Sequence, residues 1–253
     1  MQDKYAGDIG DFGKFILLKQ LVRAGSSQLR IGLNWYNVAN EEESGNDGTH
    51  VKYLNPSYKK SGLFKQCDPE LFQKLRNIVE LKRRSIPHLE CSEYLPANTK
   101  YFSEPVPMNS SDLTERVKDR ISWFDRSRQS LSSVDAVFLD PDNGIQTPTS
   151  TKAQARAVKY AFVDEIRSYY ETFGFVIVYN HRDRSPKQLY IQKFIKTHKA
   201  VGAQSLMRIL RFKRFSVRDY VFFYRKQHTS TVARLFDTLT SAPFDFLFGE
   251  FAL

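Results

Sequence analysis

The feature that most constrains the fold is a polar break at the same end of three apolar runs. RIGLNWYNV (30–38), VDAVFL (134–139) and FGFVIVY (173–179) are short, rich in β-branched and aromatic residues, and read as buried strands. Each turns polar at its carboxyl end. Asn34, Tyr36 and Asn37 close the first, Asp140-Pro141-Asp142-Asn143-Gly144 follows the second, and Asn180-His181-Arg182-Asp183 follows the third. Pro, Asp, Asn and Gly are turn formers in their own right, so one such break is a surface turn. Three at one end of three strands describe the rim of a parallel sheet, where open α/β folds bind ligands.

The segments between these runs are helical in pattern. FGKFILLKQLVR (12–23) has helical spacing and ends at Ala24-Gly25. Asp68 and Pro69 are the N-cap and first turn of a helix over 69–82. Ser111 or Asp112 caps a long amphipathic helix over 111–131, with Glu115 in its first turn. Further helices are predicted over 155–171, from Pro186 to His198, and over 229–240. HLECSEYL (88–95) and TKYFSEPV (99–106) are candidate short strands, and QSLMRILRF with RDYVFFYRK forms a hairpin. This order predicts a Rossmann-like α/β fold: a mainly parallel sheet with helices on both faces and a C-terminal antiparallel hairpin. With no Pro/Gly/Ser linker and no repeat, the expectation is a single domain over 1–253 with an insertion around 40–68.

The formal charge is +10 and the pI near 9.5, which favours a polyanionic partner. Positive charge is concentrated in LKRRS (81–85), RDRSPK (182–187) and RFKRFSVRD (211–219). Aromatic residues interleave the last, so Arg211, Lys213, Arg214 and Arg218 are candidates for nucleic-acid contact, DNA or RNA. Cys67 and Cys91 form no metal or disulfide pattern. No apolar run has membrane-spanning length and no signal-peptide core is present, so a cytoplasmic protein is expected. His50, His88, His198 and His228 fall in no ligand or catalytic motif.

AGDIGDFGKFILL (6–18) resembles the AGN-x-AD-x-x-KH-x-x-L-L signature that opens the J-type ribosomal-RNA adenine-N6 methyltransferases, whose plan the three-Cys-motif partner proteins share. Ala6, Gly7, Asp11, Lys14, Leu17 and Leu18 match in register, while Asp8, Gly10 and Phe15 differ. Asp140-Pro141 matches the start of that family's Asp-Pro-Pro-Tyr, with Asp142 and Asn143 in place of Pro and Tyr. The resemblance implies an S-adenosylmethionine-dependent, methyltransferase-like enzyme acting on nucleic acid. It implies Asp140, Asp142, Asn143, Lys14 and His181 as catalytic residues, and Asp11, Asn34, Tyr36 and Asn37 on the cofactor side. Tyr179 is a candidate substitute for the missing base-stacking Tyr. WYNVANEEESGNDG stands where such enzymes carry a glycine-rich turn, and the ribose-binding carboxylate is one of Glu90, Glu93 and Glu104.

Two other readings stand beside it. Asp140, Asp142 and Asp183, with Glu104 or His181, are candidates to hold Mg2+ through their carboxylates in a nuclease, with Lys14 on the scissile phosphate. A non-catalytic relative that keeps the fold and a basic face is the other.

Overall fold

The computed structural model describes residues 1–38, 50–91, 94, 95, 97, 99–108 and 110–252. The acidic loop at 40–49 and Glu93 lie outside the described residues.

Helix α1 (Ile9–Ala24) starts at Asp8, whose carboxylate accepts the N–H groups of Gly10 and Asp11. It leads into β1 (Ile31–Asn34). Helices α2 (Ser61–Cys67), α3 (Pro69–Glu80) and α4 (Ile86–Cys91) follow, α3 capped by Asp68 with Pro69 at its start. Strand β2 (Lys100–Phe102) precedes α5 (Leu113–Ser130), which Asp112 caps. Strands β3 (Ala136–Leu139), β4 (Gly144–Ile145) and β5 (Tyr160–Ala161) come next, then α6 (Val163–Phe173), β6 (Phe175–His181) and α7 (Lys187–Val201). The chain closes through β7 (Leu206–Phe212), β8 (Arg218–Tyr224), α8 (Thr229–Leu239) and β9 (Phe248–Glu250).

Seven of these strands form one sheet in the order β2-β1-β3-β6-β8-β7-β9. β2, β1, β3 and β6 are parallel; β8 pairs antiparallel with both β6 and β7, and β9 antiparallel with β7. The three apolar runs of the sequence are therefore adjacent, in the order β1-β3-β6, and their polar ends share one edge. The fold is Rossmann-like.

Both faces are covered, so the central strands are apolar on both sides. Ala136, Phe138, Tyr220 and Phe222 point into a core built with α1, α3 and α8. Their neighbours Val137, Leu139, Val221 and Phe223 point into a core built with α5, α6 and α7. Helix α1 comes very close to the sheet at Gly13, where a Cβ would lie 2.7 Å from the Phe212 ring. Residues 50–68 contribute Tyr53, Leu54 and Phe64 to the α1-side core.

Two predicted elements differ. The stretch 88–95 is helical through Cys91, because Ile86 and Leu89 are buried at helical spacing. The helix predicted over 155–171 is broken: Ala155–Lys159 is a 3-10 turn, β5 follows, and α6 starts at Val163. β4 draws that segment into a parallel pair, Gly144 opposite Tyr160. FDFLFGEFAL supplies the edge strand β9.

Candidate active site

A cavity of about 300 Å³ opens at the edge shared by β3 and β6, beneath the N-terminus of α1. That volume is at the low end for small-molecule sites. Asp11 and Lys14 come from the first turns of α1, where i, i+3 spacing puts them on one face. Asp140 ends β3, and Asp142 and Asn143 continue its loop. Tyr179 and His181 come from β6, and Arg218 from the first position of β8.

Lys14 is the centre of the site. It is 3% exposed, and its Nζ lies 2.8 Å from Asp11 Oδ1 and 2.6 Å from Asp140 Oδ2. Burial pulls its pKa down, but the two carboxylates more than offset this, and it stays charged well above neutrality. Burial pushes the Asp140 and Asp11 carboxyls up, against the pull of Lys14. A second ion pair lies alongside. Asp142 is 2.8 Å from the Met1 ammonium and accepts the Gln2 amide at 2.8 Å. Burial would raise its pKa, yet these partners hold it below the usual carboxylate value. The Met1 ammonium also donates to the carbonyls of Trp35 and Tyr36.

The far wall is cationic and phenolic. Arg218 is 5% exposed and lies 3.6 Å from Asp8, and its guanidinium donates to the Ser216 carbonyl at 3.1 Å. The Tyr179 hydroxyl is 3.4 Å from His181 Nδ1, and burial pushes its pKa up to about 12.

The loop sequence explains itself residue by residue. Asp140 faces Lys14 and Asp142 faces Met1 and Gln2. The Asn143 N–H donates to the Lys159 carbonyl. Gly144 has φ +100°, and a Cβ there would lie 2.5 Å from Asn180 Cα. Only glycine fits where two backbones approach so closely. The Asn180 side chain then receives the Ile145 N–H at 3.0 Å, tying the β3 loop to β6.

All five residues predicted as catalytic (Lys14, Asp140, Asp142, Asn143 and His181) line this cavity, as does Asp11. The other three on the predicted cofactor side do not. Asn34 is fully buried, donating to the Tyr169 hydroxyl and accepting the Tyr36 N–H. Tyr36 donates to Glu165, beneath the sheet. The Asn37 amide donates to the Ser103 carbonyl. β1 stops at Asn34, and these polar groups serve the irregular backbone after it, where Tyr36 has φ +45°. Two ribose-carboxylate candidates are also engaged: Glu90 accepts the Trp35 indole N–H and Glu104 pairs with Arg126.

The predicted basic stripe is divided. Arg211 forks onto Asp219 with two bonds of 2.8 Å and stacks over Phe251. Arg218 lies on the opposite face of the hairpin, inside the cavity. Arg214 lies over Phe246, and Lys213 donates to the Asp245 carbonyl. Strand alternation and internal partners separate the four, so they form no continuous cationic face. Asp183 does not line this cavity with Asp140 and Asp142; it pairs with Arg182 and Lys193. Among the described residues no three His, Cys, Asp or Glu side chains stand together as metal ligands. The cavity also takes Tyr5, Asp8, Gly10, His50 and Ser216, which sequence reasoning did not select. The Asp8 cap and its register two residues before Gly10 were the available signal. Among the described residues no helix is long and apolar enough to cross a membrane.

No protein-family model and no curated protein matches the chain. Among solved structures it is similar to protein LPL1258 of Legionella pneumophila str. Philadelphia 1, of family DUF519, at 12% identity over 97% of both chains, with a TM-score of 0.48. A likeness that loose carries no argument about function.

Proposed function

We propose that the protein is an S-adenosylmethionine-dependent, methyltransferase-like enzyme that modifies an amino group in nucleic acid. The observation that carries the reading is Asp140-Pro141 at the carboxyl end of β3, opening into a cavity where Lys14 meets Asp140 at 2.6 Å. The strand order, with β8 inserted antiparallel beside β6, supports the same resemblance.

The donor set suits a zwitterionic sulfonium ligand. Arg218 would hold a carboxylate, and Asp8 an ammonium. When bound, S-adenosylmethionine supplies a methyl group activated on positive sulfur. The chain's own residues orient the acceptor. Asp140 accepts a hydrogen bond from the acceptor amine and aims its lone pair. Lys14 keeps that carboxylate ionised and fixed in direction. His181, beside Tyr179, takes up the proton the amine sheds in this reading.

The test is methyl transfer from labelled S-adenosylmethionine to a panel of RNA and DNA, with calorimetric titration of the cofactor. Cofactor binding and transfer that Asp140→Ala abolishes are expected. Absence of cofactor binding overturns the reading. The saturated side chains of Asn34, Tyr36 and Asn37 favour the second reading, a non-catalytic relative, in that event. A magnesium nuclease has less support, because Asp140 and Asp142 each already face a separate cation of the protein.

A further inference from the structure

Asn143 and His181 also line a second cavity, of about 230 Å³, whose other walls are Ile145, Thr147, Tyr160, Asp183 and Lys193. Lys193, on α7, is a cation short of counter-charge. Its side chain is 12% exposed, and its Nζ donates to Asn180 Oδ1 at 3.0 Å and to Asp183 Oδ2 at 3.4 Å. Asp183 is shared: it accepts the Ser185 N–H and hydroxyl and lies 3.2 Å from Arg182 Nη1. Asp219, the other carboxylate of this region, is occupied by both arms of Arg211 and by the Tyr190 hydroxyl.

Among the described residues, Arg182 and Lys193 therefore share one directly paired carboxylate, with Asp219 acting on Lys193 from farther off. An ammonium carries three donors, and two acceptors take two of them. The Tyr190 and Phe194 rings lie 5.0 and 5.6 Å from the Lys193 Nζ, and in such apolar surroundings an added anion interacts strongly. Burial, aided by Arg182, holds the Lys193 pKa below its ordinary value, the response of a cation that an incoming anion would stabilise.

We propose that this second cavity is a phosphate subsite, with Lys193 as its cation and Thr147, Asn143 and His181 as surrounding polar contacts. Polar side chains spread over several walls suit a tetrahedral oxyanion better than a planar carboxylate, the Thr147 hydroxyl exchanging its 2.7 Å contact with Ser150 for the ligand. The first cavity suits it poorly: among the described residues that line it, four carboxylates, Asp8, Asp11, Asp140 and Asp142, stand with Lys14, Arg218 and the Met1 ammonium. Because Asn143 and His181 border both cavities, one nucleotide-like ligand can place its amine at Asp140 and its phosphate at Lys193. Only this joining of the two cavities rests on the methyltransferase reading.

The test is calorimetric titration with inorganic phosphate at constant ionic strength in chloride buffer. Wild type is expected to bind it, Lys193→Gln at least tenfold more weakly, and Thr147→Val a few-fold more weakly. AMP and the dinucleotide ApA serve as further probes; tighter binding of AMP assigns a monoester, and tighter binding of ApA a strand. Equal phosphate affinity in wild type and Lys193→Gln overturns the subsite, as does no binding by wild type. Should Lys193→Gln fail to fold, unchanged affinity in Thr147→Val overturns it. S-adenosylmethionine is titrated in parallel. Phosphate binding by a protein that does not bind S-adenosylmethionine sinks the methyltransferase reading and leaves the subsite standing.

Discussion

The Lys14 ammonium lies 2.6 Å from an Asp140 carboxylate oxygen across 126 residues of sequence, with side chains 4% and 7% exposed. The pair joins α1 to the end of β3, so it is both a structural tie and the base of the site.

Removing the cation should therefore cost stability in a pH-dependent way. Lys14→Met leaves Asp11 and Asp140 buried without their partner, a loss of about 3–5 kcal/mol at neutral pH. Both carboxyls have folded-state pKa values raised above the ordinary 3.8. A raised group contributes stability that is present below its unfolded pKa and lost as pH rises through the folded one. Without Lys14 that rise is larger, so the variant's deficit should shrink as pH falls toward about 4. Urea denaturation of both proteins across this range checks it, and a deficit that does not vary with pH would contradict it.

Asp140 and Asp142 should differ in their effect on activity, while both carry stability through buried ion pairs. Asp140→Ala should cut methyl transfer by roughly 100-fold or more, whereas Asp140→Asn retains an acceptor oxygen and should keep part of it. Asp142→Ala should act chiefly on stability. Its folded pKa is depressed, so its contribution is present above the unfolded value of 3.8 and lost as pH falls through the folded one. Kinetics and thermal unfolding at neutral pH distinguish the two. Equal, near-complete loss of activity at both positions, with metal-dependent cleavage of nucleic acid, would promote the nuclease.

Gly144→Ala should be among the most damaging single changes in the loop. The φ of +100° strains any side chain, and the Asn180 backbone, 2.5 Å from the added carbon, cannot yield as a flexible side chain would. Backbone strain and overpacking together predict a loss of about 3 kcal/mol or more. Equilibrium denaturation measures it, and a loss under about 1 kcal/mol would show that β4 can move away from β6.

The basic residues of the hairpin should not act as a group. Arg211→Ala strands Asp219, which is fully buried, and should destabilise by about 3–5 kcal/mol. Lys213→Ala should leave stability nearly unchanged. If Lys213 contacts a polyanion, its loss lowers the salt dependence of binding by about one counterion. Filter binding across a salt series tests this, and an unaltered slope would remove Lys213 from any nucleic-acid surface.

The parts of the site legible in the sequence were those fixed by strand ends. Asp140, Asn143 and His181 follow runs long and apolar enough to be central strands, and Lys14 stands one helical turn from Asp11. Asn34, Tyr36 and Asn37 do not line the cavity, because a strand end indicates an edge of the sheet but not where each side chain turns. Arg211 and Arg218 look alike in one charged stretch, yet odd spacing on a hairpin sends them to opposite faces. His50 and Arg218 reach the cavity only through long-range packing, which leaves no local pattern. The helix over 155–171 failed because β4 captures part of it, a tertiary pairing that outweighs local periodicity.

The docking of α1 onto the C-terminal hairpin, Gly13 against Phe212 and Asp8 beside Arg218, sets a timetable for biosynthesis. Lys14 and Arg218 are made roughly 200 residues apart, about 10–40 s at ordinary translation speeds. Through that interval the apolar face of α1, with Phe12, Ile16 and Leu17, has no finished sheet to cover it. Nascent chains halted before β8 should thus engage holdase chaperones and be degraded readily. Every molecule that acquires the cavity has already synthesised β8.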